Sequence, residues 1–406
     1  ALAFNTTGTY NTAIGNGALE NSPTGRNNTA IGWRAAYLNT IGNSNVAIGV
    51  GALRLNLNRS NIVAIGDSAL YNNAAGLAPP AGKLPIPDGY YNTAVGSKSL
   101  FTNVTGLSNT GVGYQTLFTN NSGSHNTAMG ERALYTNTGF SNTAVGSSAL
   151  LQNTSGEGNT AVGYFALRGT VGNGEYNAAL GFNAGSTLST ARYNTAIGFG
   201  TLSNNTIGHN NTAVGRSAGP SVDNIANTTA LGYDARPTAT NMVRVGNTLV
   251  TSINGAVNFT MVSDARFKRD LRTDVQGLDF ILALKPMTYT YDVTGMREFL
   301  KEGIEKDKDG NDVRVSDPDV DQAIAEKEVI RYSGFLAQDV EKAAQAIGYS
   351  FSGVDAPKNN SSLYGLRYSE FVVPLVKAVQ EQQSLIDAQQ KQIDTLKEQV
   401  ELLLRR

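Results

Sequence analysis

The chain has 406 residues, a formal net charge of −1, 44 glycines and no cysteine. This excludes disulfides and thiolate metal sites and argues against the broad basic footprint of a nucleic-acid binder; no apolar run approaches the roughly 20 residues of a membrane span. Charge is unevenly spread: residues 1–232 carry 7 acidic and 10 basic side chains, and the 174 that follow carry 26 and 22, so two regions rest on different physics.

One phrase recurs through the first region. NTAIG stands at 11–15, and its closing glycine returns at Gly15, Gly32, Gly49, Gly66, Gly96, Gly113, Gly130, Gly146, Gly163, Gly181, Gly198, Gly215 and Gly232. Nine of the twelve steps are 17 residues. One step of 30 holds AGLAPPAGKLPIPDGYY at 75–91, which reads as a loop. The consensus N-T-A-(I/V)-G-x-x-A-L-x-x-N-x-x-G-x-x is too short for a pair of helices. It fits one coil of a β-solenoid that buries its apolar face by stacking on its neighbours.

Strand side chains alternate between faces. The Thr slot becomes Val46 and Val63, and the slot two residues on is always Ile, Val, Leu or Met; both are therefore expected to point inward. The slot between them is Ala in twelve copies and Gly111 in the other. It is expected to point outward and to be closely approached by the backbone of a neighbouring subunit, which predicts a homo-oligomer packed along the solenoid. An inward Thr column also argues against a Thr-lined ice-binding face. The Asn heading each phrase is expected to form a stacked amide ladder or to satisfy turn backbone groups. Residues 1–15 begin in the second half of a unit, so the chain is expected to start inside a coil, with more repeats or an attachment domain before it. The repeat resembles the head repeats of trimeric autotransporter adhesins, whose SVAIG-type phrases build trimeric left-handed β-rolls, although the period differs from the commonest one there. Trp33 and the many tyrosines read as rim packing, with sugar-stacking platforms as the alternative.

The repeat stops at Gly232. Residues 233–262 form a β-rich junction whose end, NMVRVGNTLVTSINGAVNFTMV (241–262), predicts two strands split by glycine turns. SDARFKRDL follows at 263–271, then LDFILALKPMTYTYD at 278–292, a short helix, a proline break and a strand. Residues 297–328 read as a solvated charged insertion; DKDGND within them has the flavour of a calcium loop but lacks its glycine and glutamate positions. YSGFLAQDVEKAAQAIG at 332–348 predicts a strand and a helix that ends at Gly348. From Val372 a heptad takes over: Val372, Val379, Ile386, Ile393 and Val400 hold one apolar position, and Leu375, Gln382, Gln389, Leu396 and Leu403 the other. Five such heptads predict a parallel coiled coil over 372–406, without specifying its strand number.

Four spaced motifs, Ser263-Asp264 with Lys268, LKPMTYTYD, GFLAQDVE and YSEFVVPLVKAVQE, make residues 263–406 resemble the C-terminal intramolecular chaperone of phage endosialidases and tail spikes, peptidase family S74. The resemblance implies a module that trimerises, drives folding of the fibre ahead of it, and releases itself by cutting the chain between Val262 and Ser263. It makes Ser263 the nucleophile and Lys268 the general base, with Asp264 in a supporting, orienting role and Arg266 near enough to favour the neutral lysine. Ser-Lys pairs are an established variant of nucleophile and base.

The expected fold class is mainly β: a trimeric β-solenoid (1–232), the β-rich junction (233–262), an α+β chaperone domain (263–371) and a parallel coiled coil (372–406). The expected function is an extracellular structural or attachment fibre, a phage or injection-system tail fibre or a bacterial surface adhesin. Its expected partners are two further copies of itself, a cell-surface glycan or protein receptor, and a baseplate or bacterial surface reached through preceding segments. No metal- or cofactor-binding motif stands out. The alternatives are a non-cleaving trimeric adhesin and a polysaccharide-degrading spike, although no carboxylate pair in the repeats has a context matched to glycoside hydrolysis.

Overall fold

A computed structural model describes residues 1–73, 89–257, 259–306 and 311–405. The chain divides into two compact units, Ala1–Thr248 with Arg297–Asp317, and Leu249–Met296 with Pro318–Arg406.

The first unit is the expected solenoid. Each repeat contributes a three-residue strand, from β1 (Thr12–Ile14) to β13 (Thr229–Leu231), and β14 (Val243–Val245) extends the stack. All fourteen pair in sequence order as one parallel sheet, in register, so that Thr12 faces Thr29 and Ile14 faces Ile31. The long step leaves the stack intact, because β4 (Val63–Ile65) pairs directly with β5 (Thr93–Val95); most of the inserted sequence lies outside the described residues. The glycine ending each strand is dictated by geometry. Gly15 has φ 122°, and a Cβ there would lie 2.6 Å from the carbonyl oxygen of Gly32 in the next coil.

The facing of the strands is the reverse of the sequence expectation. The Ala slot points inward: Ala30, Ala47, Ala64, Ala94, Ala128, Ala144, Ala161, Ala196, Ala213 and Ala230 are fully buried. The Thr and aliphatic slots lie outside and are half-exposed or exposed, with Ile14 at 59% and Leu180 at 52%. The coil is simply thin. Ala meets the Ala-Leu pair of the second segment across a narrow interior, so the bar against larger residues comes from the chain's own coil and not from a neighbouring subunit. Gly111 fits this account: a Cβ there would lie 2.6 Å from Ser99 Oγ and 2.8 Å from Thr116 Oγ1. Those two hydroxyls occupy the second-segment Ala slot and hydrogen-bond each other at 2.7 Å. The Thr column thus has the outward facing that an ice-binding face requires. The outward hydroxyl column is nonetheless broken at Val46, Val63 and Ala178.

Two buried amide columns complete the interior. The Asn heading most phrases (the slot holds Ile62 and Thr228 in two of them) accepts the backbone N–H one coil on (Asn28 N to Asn11 Oδ1, 2.9 Å; Asn45 N to Asn28 Oδ1, 3.0 Å) and donates to a turn carbonyl (Asn28 Nδ2 to Gly42 O, 2.9 Å). The second Asn of the consensus stacks amide on amide, as in Asn120 Nδ2 to Asn103 Oδ1 at 3.0 Å and Asn137 Nδ2 to Asn120 Oδ1 at 3.1 Å. Aromatic side chains in matching slots stack along the rim, Tyr71 on Phe101, Phe118 and Tyr135, and Tyr164 on Phe182 and Phe199.

The second unit holds α1 (Leu278–Ala283), the antiparallel pair of β15 (Met287–Tyr289) with β18 (Tyr332–Gly334), the first part of α2 (Val293–Phe299), α3 (Pro318–Glu328), α4 (Ala337–Ala346) and α5 (Val372–Leu404). Its core is aromatic, with Phe280 fully buried against Phe351 and Phe351 edge-on to Phe371. The N-terminus of α1 lacks a side-chain cap of its own; Glu381 from α5 accepts the Leu278 N–H at 2.7 Å instead. Gly348, at φ 66°, ends α4 as expected. The heptad lies on the 33-residue α5, and its apolar positions Val379, Ile386, Ile393, Leu396, Val400 and Leu403 are exposed.

Candidate functional site

The junction delivers one strand of the two expected. After β14, residues 247–257 and 259–264 form no strand, and Val257, Phe259, Met261 and Val262 are exposed. A short 3-10 turn, Ala265–Phe267, follows, with Asp264 as its N-cap accepting the Arg266 N–H at 2.9 Å. This turn reverses the chain so that Lys268 comes back over Ser263, its Nζ 2.7 Å from Ser263 Oγ. The five-residue spacing and a single capped turn are enough to bring nucleophile and amine into hydrogen-bond reach.

Asp264 and Arg266 form their own pair, 2.6 Å apart. The guanidinium holds the Asp264 carboxyl below its ordinary value. The charge on Arg266 is thereby matched by a carboxylate. Ser263 and Lys268 are both solvent-exposed, as are Phe267 and Leu271 beside them. The arrangement supplies geometry without the desolvation that a lysine base requires.

A second constellation escaped the sequence reading. The insertion at 297–328 is not solvated throughout. Arg297 and Glu302 are buried, and β16 (Ile304–Lys306) and β17 (Asp312–Arg314) form a hairpin; DKDGND falls outside the described residues except for Asn311 and Asp312. Glu302 receives Arg244 Nη2 at 3.1 Å, Thr248 Oγ1 at 2.6 Å, Thr248 N at 3.1 Å and Arg297 Nη1 at 3.3 Å. Burial pushes its carboxyl up, against the opposing pull of Thr248 and Arg244. Beside it Asp234 and Arg236, both essentially fully buried, pair at 2.6 Å. The Arg236 guanidinium donates to Ile304 O at 3.0 Å, and Asp234 accepts the Gly303 N–H. A signal was present: Arg236 stands in the slot that most coils fill with Leu, and Arg244 stands opposite Ala230 in the Ala slot. Among the described residues no group of three or more His, Asp or Glu is placed to hold a metal ion, and no helix is long and apolar enough to cross a membrane.

A long β-solenoid followed by an α+β module and a long helix defines a class: a tail-fibre- or spike-like structural protein carrying its own folding module. Residues 263–349 match the Peptidase_S74 family, the chaperone of endosialidase. That match begins at the candidate nucleophile, runs through α4 and leaves the repeats outside it. Among curated proteins no match to the chain is found.

Proposed function

We propose that the chain is a homotrimeric, extracellular attachment fibre of a phage, an injection system or a bacterial surface, whose C-terminal module drives trimerisation and folding and then cuts the chain between Val262 and Ser263. The observation that carries the cut is the 2.7 Å contact of Lys268 with Ser263 inside the matched module. In the reaction the neutral lysine takes the serine proton while Oγ attacks the Val262 carbonyl carbon. The Val262–Ser263 C–N bond breaks as its nitrogen takes the proton back from the lysine and leaves as the free amine of Ser263, and an ester joins the Val262 acyl group to Oγ. Water then hydrolyses the ester, giving the Val262 carboxylate and restoring the hydroxyl. Asp264 caps the turn that holds Lys268 in place and so acts by positioning.

Association is supported by surfaces that one chain leaves uncovered: the aliphatic column of the sheet, the apolar side chains of Val257, Phe259, Met261 and Val262 and the heptad seam of α5. Covering that run with partner chains would also dry the dyad and tie the cut to assembly. For the receptor, a shallow cavity of about 450 Å³ is lined by Asn173, Thr190, Arg192, Tyr193, His209 and Asn210. Tyr193 stacks on Tyr176 at 5.3 Å; an aromatic face beside amide and cationic donors has the chemistry of a glycan site.

The test is intact mass and a denaturing gel on freshly folded protein, wild type beside Ser263→Ala and Lys268→Ala. Fragments 1–262 and 263–406 are expected from the wild type alone. An intact wild type would leave a permanent trimerisation foot.

A further inference from the structure

The buried ionic constellation joins two stretches that lie on opposite sides of the proposed cut. Asp234, Arg236, Arg244 and Thr248 precede Val262, and Arg297 and Glu302 follow Ser263, yet all belong to the one compact unit Ala1–Thr248 with Arg297–Asp317. We infer that this clasp retains the C-terminal piece on the end of the fibre after the backbone is cut, so that the module becomes a non-covalently held terminal subunit and is not shed. The inference rests on the self-cleavage reading for its occasion, but its physics is independent of how the chain is opened.

Cleavage at 262–263 touches none of the clasp's bonds. Glu302 is fully buried and has a donor for each oxygen, Arg244 Nη2 and Thr248 N on Oε1 and Thr248 Oγ1 and Arg297 Nη1 on Oε2. A buried carboxylate is held well only when it is satisfied in this way. Arg236 and Asp234 fix the next two residues through Ile304 O and Gly303 N, and Glu305 reaches Arg216 at 2.6 Å. The partners belong to successive coils at the end of the stack. Arg244 stands in the inward Ala slot, so the segment from Arg297 to Lys306 closes the core where the alanines run out. Close desolvated charge pairs of this kind act on the rate of dissociation, and they are screened by salt much less than surface pairs.

The test uses the full chain opened in two ways: by its own cleavage, and by a site-specific protease whose recognition sequence is inserted between residues 262 and 263 of the Ser263→Ala variant. Size exclusion in physiological and in high salt, followed by a denaturing gel of each peak, reads retention. Both opened forms are expected to elute as a one-to-one complex. Glu302→Ala should release the C-terminal piece about a hundredfold faster, and Thr248→Val, which keeps the shape and removes one donor, about tenfold faster. Separation of the pieces on opening the unsubstituted clasp would overturn the inference, as would release from both clasp variants at the unsubstituted rate. If the wild type fails to cut itself, the self-cleavage reading fails while the protease-opened chain still decides retention.

Discussion

Asn120 tests what holds the coils together. It is fully buried, donates to Asn103 Oδ1 at 3.0 Å and to Gly123 O at 2.8 Å, and accepts from Asn137 Nδ2 at 3.1 Å. Asn120→Ala removes all three bonds. The loss is tempered, because Gly123 O keeps Asn109 and Asn137 Nδ2 keeps Gly139 O. At about 1 kcal/mol net per bond, the expected cost is about 3 kcal/mol. The column also contains its own converse. It breaks where Thr170 replaces Asn, and there Asn153 Oδ1 and Thr170 Oγ1 are buried without a partner. Thr170→Asn supplies a donor to the orphaned oxygen and is expected to add about 1 kcal/mol. Long repeat arrays depart from two-state unfolding, so the assay is native-state hydrogen exchange, which reads local opening. Coils around residues 103–137 should lose protection in the first variant, and the coil of Asn153 should gain it in the second. An Asn120→Ala chain within about 0.5 kcal/mol of wild type would mean that the columns fill space and do not bind the coils, and would refute the reasoning.

Two further outcomes are expected. Ala144→Leu, in a fully buried slot, should cost about 3 kcal/mol by overpacking, while Thr143→Val beside it should stay within about 0.5 kcal/mol; denaturant melts showing the reverse order would restore the inward Thr column. Tyr193→Ala should abolish saccharide binding in a glycan-array or calorimetric screen in which the wild type scores, leaving the melt unchanged, since Tyr193 is exposed; undiminished binding would move the receptor site elsewhere.

Much of this was legible in the sequence, for identifiable reasons. The period, strand positions and closing glycine follow from spacing, and the turn joining Ser263 to Lys268 is local. Facing was not legible, because Thr-to-Val exchange marks a slot that tolerates apolar groups whether it lies in a core or on a half-covered outer column. A slot restricted to Ala looks the same whether a neighbour or the chain's own second segment crowds it. The clasp was hidden because Glu302 sits among charges that read as solvated, and only the slots of Arg236 and Arg244 mark its partners.

The inverted facing bears on why such a fibre carries a folding module. Its interior is small side chains and amide columns, and each coil is bonded to the next by nearly identical groups. Local stacking is therefore strongly specified in period and weakly in register: Ala on Ala and Asn on Asn are satisfied equally if two chains align one coil out of step. For chains that associate along the outer aliphatic column, as proposed, the contact repeats every coil and cannot tell correct alignment from a 17-residue slip. Register must come from a non-repeating element. In the proposed coiled coil, Gln382 and Gln389, which interrupt one apolar position of the α5 heptad, would provide a single best alignment. The clasp supplies the second fixed point, because Arg236 and Arg244 occur at one end of the stack and nowhere among the coils before it. A repeat that propagates readily in any register therefore requires an end that pairs in only one.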